Sequence, residues 1–180
     1  MPIKTPQDID KILQEKGYMG PEDLASTGWI KFTGDKRFPG QFFSPSKGKL
    51  QGLPVTALIN LIYDAYPYCT EYPYLLELEI SFTNPQEDGQ CTPEEYDRLL
   101  EAEADFCKQM NDAGAAVHII ARQTWNGKRM IDCYTDKEDI ARQVLEQCKK
   151  NTLSGRALSY KISNDPTWQT YAAFTKHFID

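Results

Sequence analysis

The chain has 180 residues, 41% of them hydrophobic and 26% charged, which fits one globular domain and excludes collagen-like, coiled-coil and disordered classes. Twenty basic residues stand against 26 acidic ones, a net charge of −6, and a duplex nucleic-acid binder needs the opposite balance. No apolar run approaches the ~18–20 residues that span a bilayer, so no membrane partner is expected.

The first six residues, Met-Pro-Ile-Lys-Thr-Pro, contain no apolar signal-peptide core. The five cysteines (Cys69, Cys91, Cys107, Cys133 and Cys148) are odd in number and widely spaced, without a Cys-x-x-Cys pair. Only His118 and His177 could assist a metal site. Reduced thiols in a cytoplasm, with no metal, are the expectation. No Gly-x-Gly-x-x-Gly and no phosphate-binding Gly-Lys-Ser/Thr loop is present, so no cofactor is expected. Asp88, Gly89 and Glu95 imitate part of a calcium loop, but Asn84 and Gln86 replace its usual acids.

In chain order, Thr5-Pro6-x-Asp8 predicts a short helix with Ile9, Ile12 and Leu13 on one face, closed by Gly17. Residues 17–53, rich in Gly, Pro, Ser and Lys with Trp29, Phe32, Phe38, Phe42 and Phe43, read as an irregular layer of short strands and loops over a core. Residues 1–52 are thus expected to be an extension packed on a domain over 53–180. The run from Leu53 to Tyr63 is apolar on both faces and fits a buried strand or a short buried helix. A strand there would extend the main sheet or lie on its other face. After a tyrosine-rich connector, Leu76 to Phe82 alternates strictly, the pattern of a half-buried strand. Thr92-Pro93-Glu94-Glu95 is a capping box that opens a helix to about Met110, with Gly114 as its stop signal. Val117–Trp125 and Lys128–Tyr134 form two strands joined by Asn126-Gly127, the signature of a type I′ hairpin. Asp136 caps a second helix, Arg156 to Ser163 alternates again, and Asp165-Pro166 opens a last short helix bearing Trp168 and Tyr171.

From 75 to 163 the order is strand, helix, strand, strand, helix, strand. That order predicts an α+β fold: a ferredoxin-like split βαβ core with an antiparallel sheet and both helices on one face. The hairpin has two possible faces. With Trp125 opposite Lys128, one face carries Val117, Ile119, Ala121, Gln123, Trp125, Met130, Asp132 and Tyr134. The other carries His118, Ile120, Arg122, Thr124, Arg129, Ile131 and Cys133. The first, with small Ala121, is the favoured helix-covered face. Arg122, Arg129 and His118 then share the opposite face with Glu77, Glu79 and Lys161, as an anion-binding surface or as plain ion pairs. Glu103 lies in the apolar stripe of the first helix, four residues after Leu99 and three before Phe106. A carboxylate there is paired, protonated, aimed into a cavity, or reaches water at the helix edge. With the hairpin faces reversed, Arg122 would face this helix and pair with Glu103.

Charge is uneven. Residues 87–105 hold eight acids against Arg98 alone, a local −7, while residues 33–53 carry +3. The acidic helix is either a solvated face or a surface built to dock a basic partner.

The string Ala-Arg122-x-Thr124-Trp125-Asn-Gly127-x-Arg129, with Tyr134 after it, resembles the bacterial family called domain of unknown function 695. So do Tyr72-Pro73-Tyr-Leu75-Leu76, Asp88-Gly89-x-x-Thr92 and Asp165-Pro166-x-Trp168-x-x-Tyr171. Glu103 falls where that family tends to carry a Glu in its first helix. The resemblance covers about residues 53–175 and implies no catalytic residue. Through a related domain found beside some members it also implies a distant likeness to protein inhibitors of ribonuclease E, which are small, acidic and ferredoxin-like.

Two functions are therefore expected. The first is a binding module that docks a basic protein through Glu94, Asp97, Glu101 and Asp105. The second is a small enzyme or ligand-binding protein in which Arg122 and Arg129 hold an anion, Glu103 is a buried acid or base, and His118, Trp125 and Trp168 complete the site.

Overall fold

The structure is a computed structural model that describes residues 36, 37, 39, 41–64, 66–150 and 156–179. The expected helix at 5–17, with Trp29, Phe32 and Phe38, lies outside these residues. Among the described residues one antiparallel sheet holds β1 (Phe43–Leu50), β2 (Leu53–Asn60), β3 (Tyr74–Ser81), β4 (His118–Trp125), β5 (Lys128–Thr135) and β6 (Leu158–Asn164). Three helices accompany it: α1 (Pro93–Asp112), α2 (Glu138–Lys150) and α3 (Gln169–Ile179). The strands lie in the order β1-β2-β4-β5-β3-β6.

Residues 43–50, within the expected layer of short strands and loops, form a full edge strand in which every residue of β1 has a partner on β2. Pro45, Lys47 and Lys49 suit that position, since an edge strand tolerates proline and lysine discourages further pairing. The ambiguous apolar run resolves into both alternatives in succession. It is strand to Asn60 and then a 3-10 turn over Leu61–Tyr63. Asn60 ends the strand by accepting from the Phe42 and Ile62 N–H groups (2.8 and 3.3 Å) and donating to the Ile119 carbonyl (3.0 Å). β2 pairs with β4 and so extends the sheet.

At the start of α1, Thr92 Oγ1 accepts from the Glu95 N–H at 3.2 Å, one half of the expected capping box. The other half does not form, because Glu95 turns inward and accepts from the Thr83 N–H and from Arg156. Asp136 likewise accepts from the Ala116 N–H at 2.8 Å, which ties the β4 entry to the start of α2. In the β4–β5 hairpin both turn residues have positive φ (Asn126 49°, Gly127 75°), as type I′ requires. The tip docks on the loop before α1, where Gly127 N–H donates to the Gly89 carbonyl at 2.8 Å. A Cβ on Gly89 would stand 2.7 Å from the Asn126 Cα, so only glycine permits this approach.

Two cores flank the sheet. On one face Leu76, Leu78, Ile80, Ile131 and Cys133 pack against Leu99, Phe106 and Met110 of α1 and Ala141, Val144 and Leu145 of α2. On the other, Ile59, Leu75, Ala121 and Tyr134 pack against Tyr63, Tyr66 and Tyr72 of the connector and Trp168 and Tyr171 at α3.

Candidate functional site

The register of β3 decides the hairpin faces. Leu76, Leu78 and Ile80 stand opposite Cys133, Ile131 and Arg129, and these alternating apolar residues make that the helix-covered face. The favoured assignment is therefore reversed: Arg122, Thr124 and Arg129 lie under α1. Glu77 and Glu79, register partners of Asp132 and Met130, lie on the opposite face and do not join the arginines. His118 also leaves the arginine face. A bulge between Ile119 and Ala121 inserts one residue, so His118 pairs with Tyr134 and Ile119 with Cys133. One added residue exchanges the faces of everything beyond it.

The buried Glu103 carboxylate takes the whole fork of Arg122. Nε donates at 2.6 Å and Nη2 donates to the second oxygen, with side chains 8% and 7% exposed. The Arg122 guanidinium also lies 4.0 Å from the Phe43 ring centroid. Of the four possibilities for Glu103, pairing is the one realised. Arg129 is 2% exposed; its Nε donates to Thr124 Oγ1 at 3.1 Å and its guanidinium covers the Tyr96 ring at 4.9 Å. No carboxylate of the described residues lies within ion-pair distance of it. A second buried pair, Glu95–Arg156 at 2.8 Å, joins residues 61 apart, a separation that no local spacing pattern marks. Burial acts to raise the Glu95 carboxyl, but Arg156 and the Thr83 N–H outweigh it and hold it below the ordinary range. These pairs pin α1 to the sheet. Breaking one would leave an uncompensated buried charge, at a cost of about 3–5 kcal/mol.

His118 and Trp168 meet on the far face. His118 is fully buried and shares a hydrogen bond with the Tyr63 hydroxyl at 3.2 Å, inside a ring of Tyr66, Tyr72 and Trp168. Burial pushes its pKa down to about 4, so the imidazole is neutral. Trp168 has a left-handed backbone (φ 54°), stacks on Tyr134 at 4.1 Å and donates from Nε1 to the Tyr72 carbonyl at 3.0 Å. Tyr134 in turn donates to Asp165 at 2.6 Å. Trp125 stands apart from all of these and donates to the Leu50 carbonyl at 3.0 Å. The six residues expected to form one site thus divide among the arginine layer, the aromatic box and the hairpin end.

Beyond the aromatic box the same far face opens into a cleft of about 380 Å³, lined by Glu77, Glu79, Asp132, Lys161, Met130 and Phe174 among others. Asp132 is 7% exposed, and the Gln123 amide donates to it at 3.3 Å. Burial pushes its pKa up to about 7; the Gln123 hydrogen bond opposes this and the Glu77 charge adds to it. The sequence hint for this residue is a lone carboxylate between Ile131 and Cys133, visible only once β3 puts Glu77 beside it.

On the outside of α1, Glu94, Asp97, Glu101 and Asp105 are all exposed, at spacings of three, four and four residues that set them in one stripe.

With the geometry in place, the family model described as "Family of unknown function (DUF695)" matches residues 47–175. The chain belongs to this family. No curated protein and no solved structure matches it. Residues of the motifs that resemble the family make tertiary contacts in this chain: the Arg122–Glu103 pair, the Asn126-Gly127 tip on Gly89, and the Tyr134–Trp168–Asp165 cluster. Among the described residues no group of His, Cys, Asp and Glu is arranged to hold a metal, and no helix is long and apolar enough to cross a membrane.

Proposed function

We propose that this DUF695 protein is a binding module that docks a basic protein partner through the outer face of α1. The observation that carries the reading is the division of carboxylates on that helix. Glu95 and Glu103 turn inward to arginines, while Glu94, Asp97, Glu101 and Asp105 form an exposed stripe that has no ion-pair partner among the described residues. A helix pinned by two buried pairs presents its charges in a fixed array, which lowers the ordering cost of binding. An array of one sign steers a partner of the other sign.

The fold supports the same reading. The order β4-β5-β3-β6, with α1 and α2 on one face, agrees with a ferredoxin-like split βαβ core widened by β1 and β2. The five unbridged cysteines agree with a reducing, cytoplasmic setting. The second expected function, an anion site at Arg122 and Arg129, loses support because Glu103 already fills the Arg122 fork.

The test is a pull-down from lysate at low and high salt with wild type and a Glu94→Lys/Asp97→Lys/Glu101→Lys triple variant. Capture of a basic protein at low salt, lost in the variant while its melting temperature holds, supports the reading. Equal capture by both proteins refutes it.

A further inference from the structure

The cleft on the far face plays no part in α1 docking, and its floor is built against the ordinary rules of a strand. Glu77 and Asp132 are direct register partners on β3 and β5, and like charges set opposite each other destabilise a sheet. Their neighbours treat the two carboxylates differently. Glu77 reaches Lys161 at 3.0 Å and Glu79 reaches Lys128 at 2.7 Å, both on the partly exposed rim. Asp132 sits deeper, and no cation of the described residues lies within ion-pair distance of it. Among the described residues the Gln123 amide from β4 is its one hydrogen-bond partner. A carboxyl that is nine-tenths buried, without a cation and beside a second carboxylate, costs the fold stability and marks a functional candidate.

The walls narrow the ligand class. Lys161 and Lys128 offset Glu77 and Glu79, so an ionised Asp132 leaves the cleft with one net negative charge. Met130 from β5 and Phe174 from α3 give it an apolar side, and an aromatic face also attracts a cation. The volume of about 380 Å³ falls at the small end of ligand pockets, which run roughly 300–1,000 Å³.

We propose that this cleft binds a small organic cation, with its charged nitrogen between Asp132 and Glu77 and its carbon stem along Met130 and Phe174. The cation takes the position that the fold leaves without a counter-charge. Binding also requires Asp132 to give up its proton. The polar and titratable groups that line the cleft with Asp132 are Glu77 and Glu79 from β3, Gln123 from β4, and Ser159, Tyr160 and Lys161 from β6, with uncharged Thr170 and Phe174 from α3. Lys128, on the same strand as Asp132, is held by Glu79. Since Asp132 is the member of this group held near 7, affinity rises about tenfold between pH 6 and pH 8.

The experiment is titration calorimetry of the full chain with 1,4-diaminobutane and with agmatine, at pH 6 and pH 8, with 1,4-butanediol as the uncharged control. Saturable binding of at least one cation, about tenfold tighter at pH 8, with none of the diol, is the expected result. Asp132→Asn is expected to weaken binding at least tenfold and abolish its pH dependence, and Glu77→Gln to weaken it while keeping the pH dependence. Absence of saturable cation binding by wild type at pH 8 overturns the proposal. So does an Asp132→Asn protein that is folded by its melting curve and binds as tightly as wild type. The α1 triple variant binds the cation normally, so failure here and failure of the docking reading are separate results.

Discussion

Asp132→Asn should make this protein more stable, and the gain should depend on pH. The carboxyl has an ordinary pKa of 3.8, which applies in the unfolded chain, and about 7 in the fold. The folded state therefore holds its proton over a range in which the unfolded state has released it. Stability is unaffected below about pH 4, falls as pH rises from there, and reaches its full deficit above pH 7. Each tenfold difference in proton affinity is worth about 1.4 kcal/mol, so the gap amounts to about 4 kcal/mol. Asparagine has nearly the same shape, carries no charge and can still accept from the Gln123 amide. At pH 8 the variant should recover much of that energy, a large share of the roughly 5–15 kcal/mol that separates a folded domain from its unfolded chain. For a chain of this length that corresponds to a melting temperature higher by about 10 °C. Urea unfolding of both proteins at pH 4.5, 6 and 8 reads the effect directly. The curves should differ by only about 1 kcal/mol at pH 4.5 and separate progressively toward pH 8. A variant that is equal or less stable at pH 8, or a gain of the same size at every pH, would falsify the view that Asp132 is an uncompensated buried carboxyl.

His118 gives the opposite slope. Its ordinary pKa of 6.5 falls to about 4 in the fold, so the unfolded chain takes up the proton first, and stability drops by roughly 3 kcal/mol as pH falls from 6.5 to 4. His118→Gln should flatten that limb in thermal melts across the same range, and an unchanged limb would assign it to other groups. Arg122→Ala should cost about 3–5 kcal/mol by leaving Glu103 buried and unpaired, whereas Arg122→Met with Glu103→Leu should cost less than either change alone. Urea midpoints of the double-mutant cycle check this, and additive losses would show that the pair is not coupled. Gly89→Ala should destabilise by at least about 1 kcal/mol, because φ is +77° and the new Cβ meets the hairpin backbone; an unchanged melting temperature would show that the hairpin tip is not held there.

The elements are legible in the sequence wherever the signal is local. Asn126-Gly127 forces its turn by backbone chemistry alone, Thr92-Pro93 sets the start of α1, and Leu76 to Phe82 alternates over a full strand. Facing is harder to read, because it depends on a neighbour distant in sequence. The hairpin alone offers two nearly balanced faces, and only Leu76, Leu78 and Ile80 in register with Cys133, Ile131 and Arg129 break the tie. His118 shows how little is needed to move a candidate residue. A single bulged position separates it from Arg122 and delivers it to the tyrosine connector. Glu95 was legible as half of a capping box, yet the stronger claim on it comes from Arg156, and no spacing rule connects residues 61 apart. Asp132 was legible as a face member but not as a site, since its meaning depends on Glu77 beside it and on the distance of the nearest cation.

The two surfaces proposed here lie on opposite sides of one sheet, and that placement allows each to be tested alone. α1 rests on the layer containing Arg122, Ile131 and Cys133, whereas Asp132 points to the far side, between Gln123 and Glu77. Substitutions at separated sites with no shared partner add in free energy. Combining Asp132→Asn with the α1 charge reversal should therefore add their stability changes, with cation binding lost through the first and partner capture through the second. Coupling beyond about 0.5 kcal/mol would mean that the sheet transmits a change from one face to the other. In that case occupation of the cleft would alter docking at α1, and the two sites would belong to one regulated binding function.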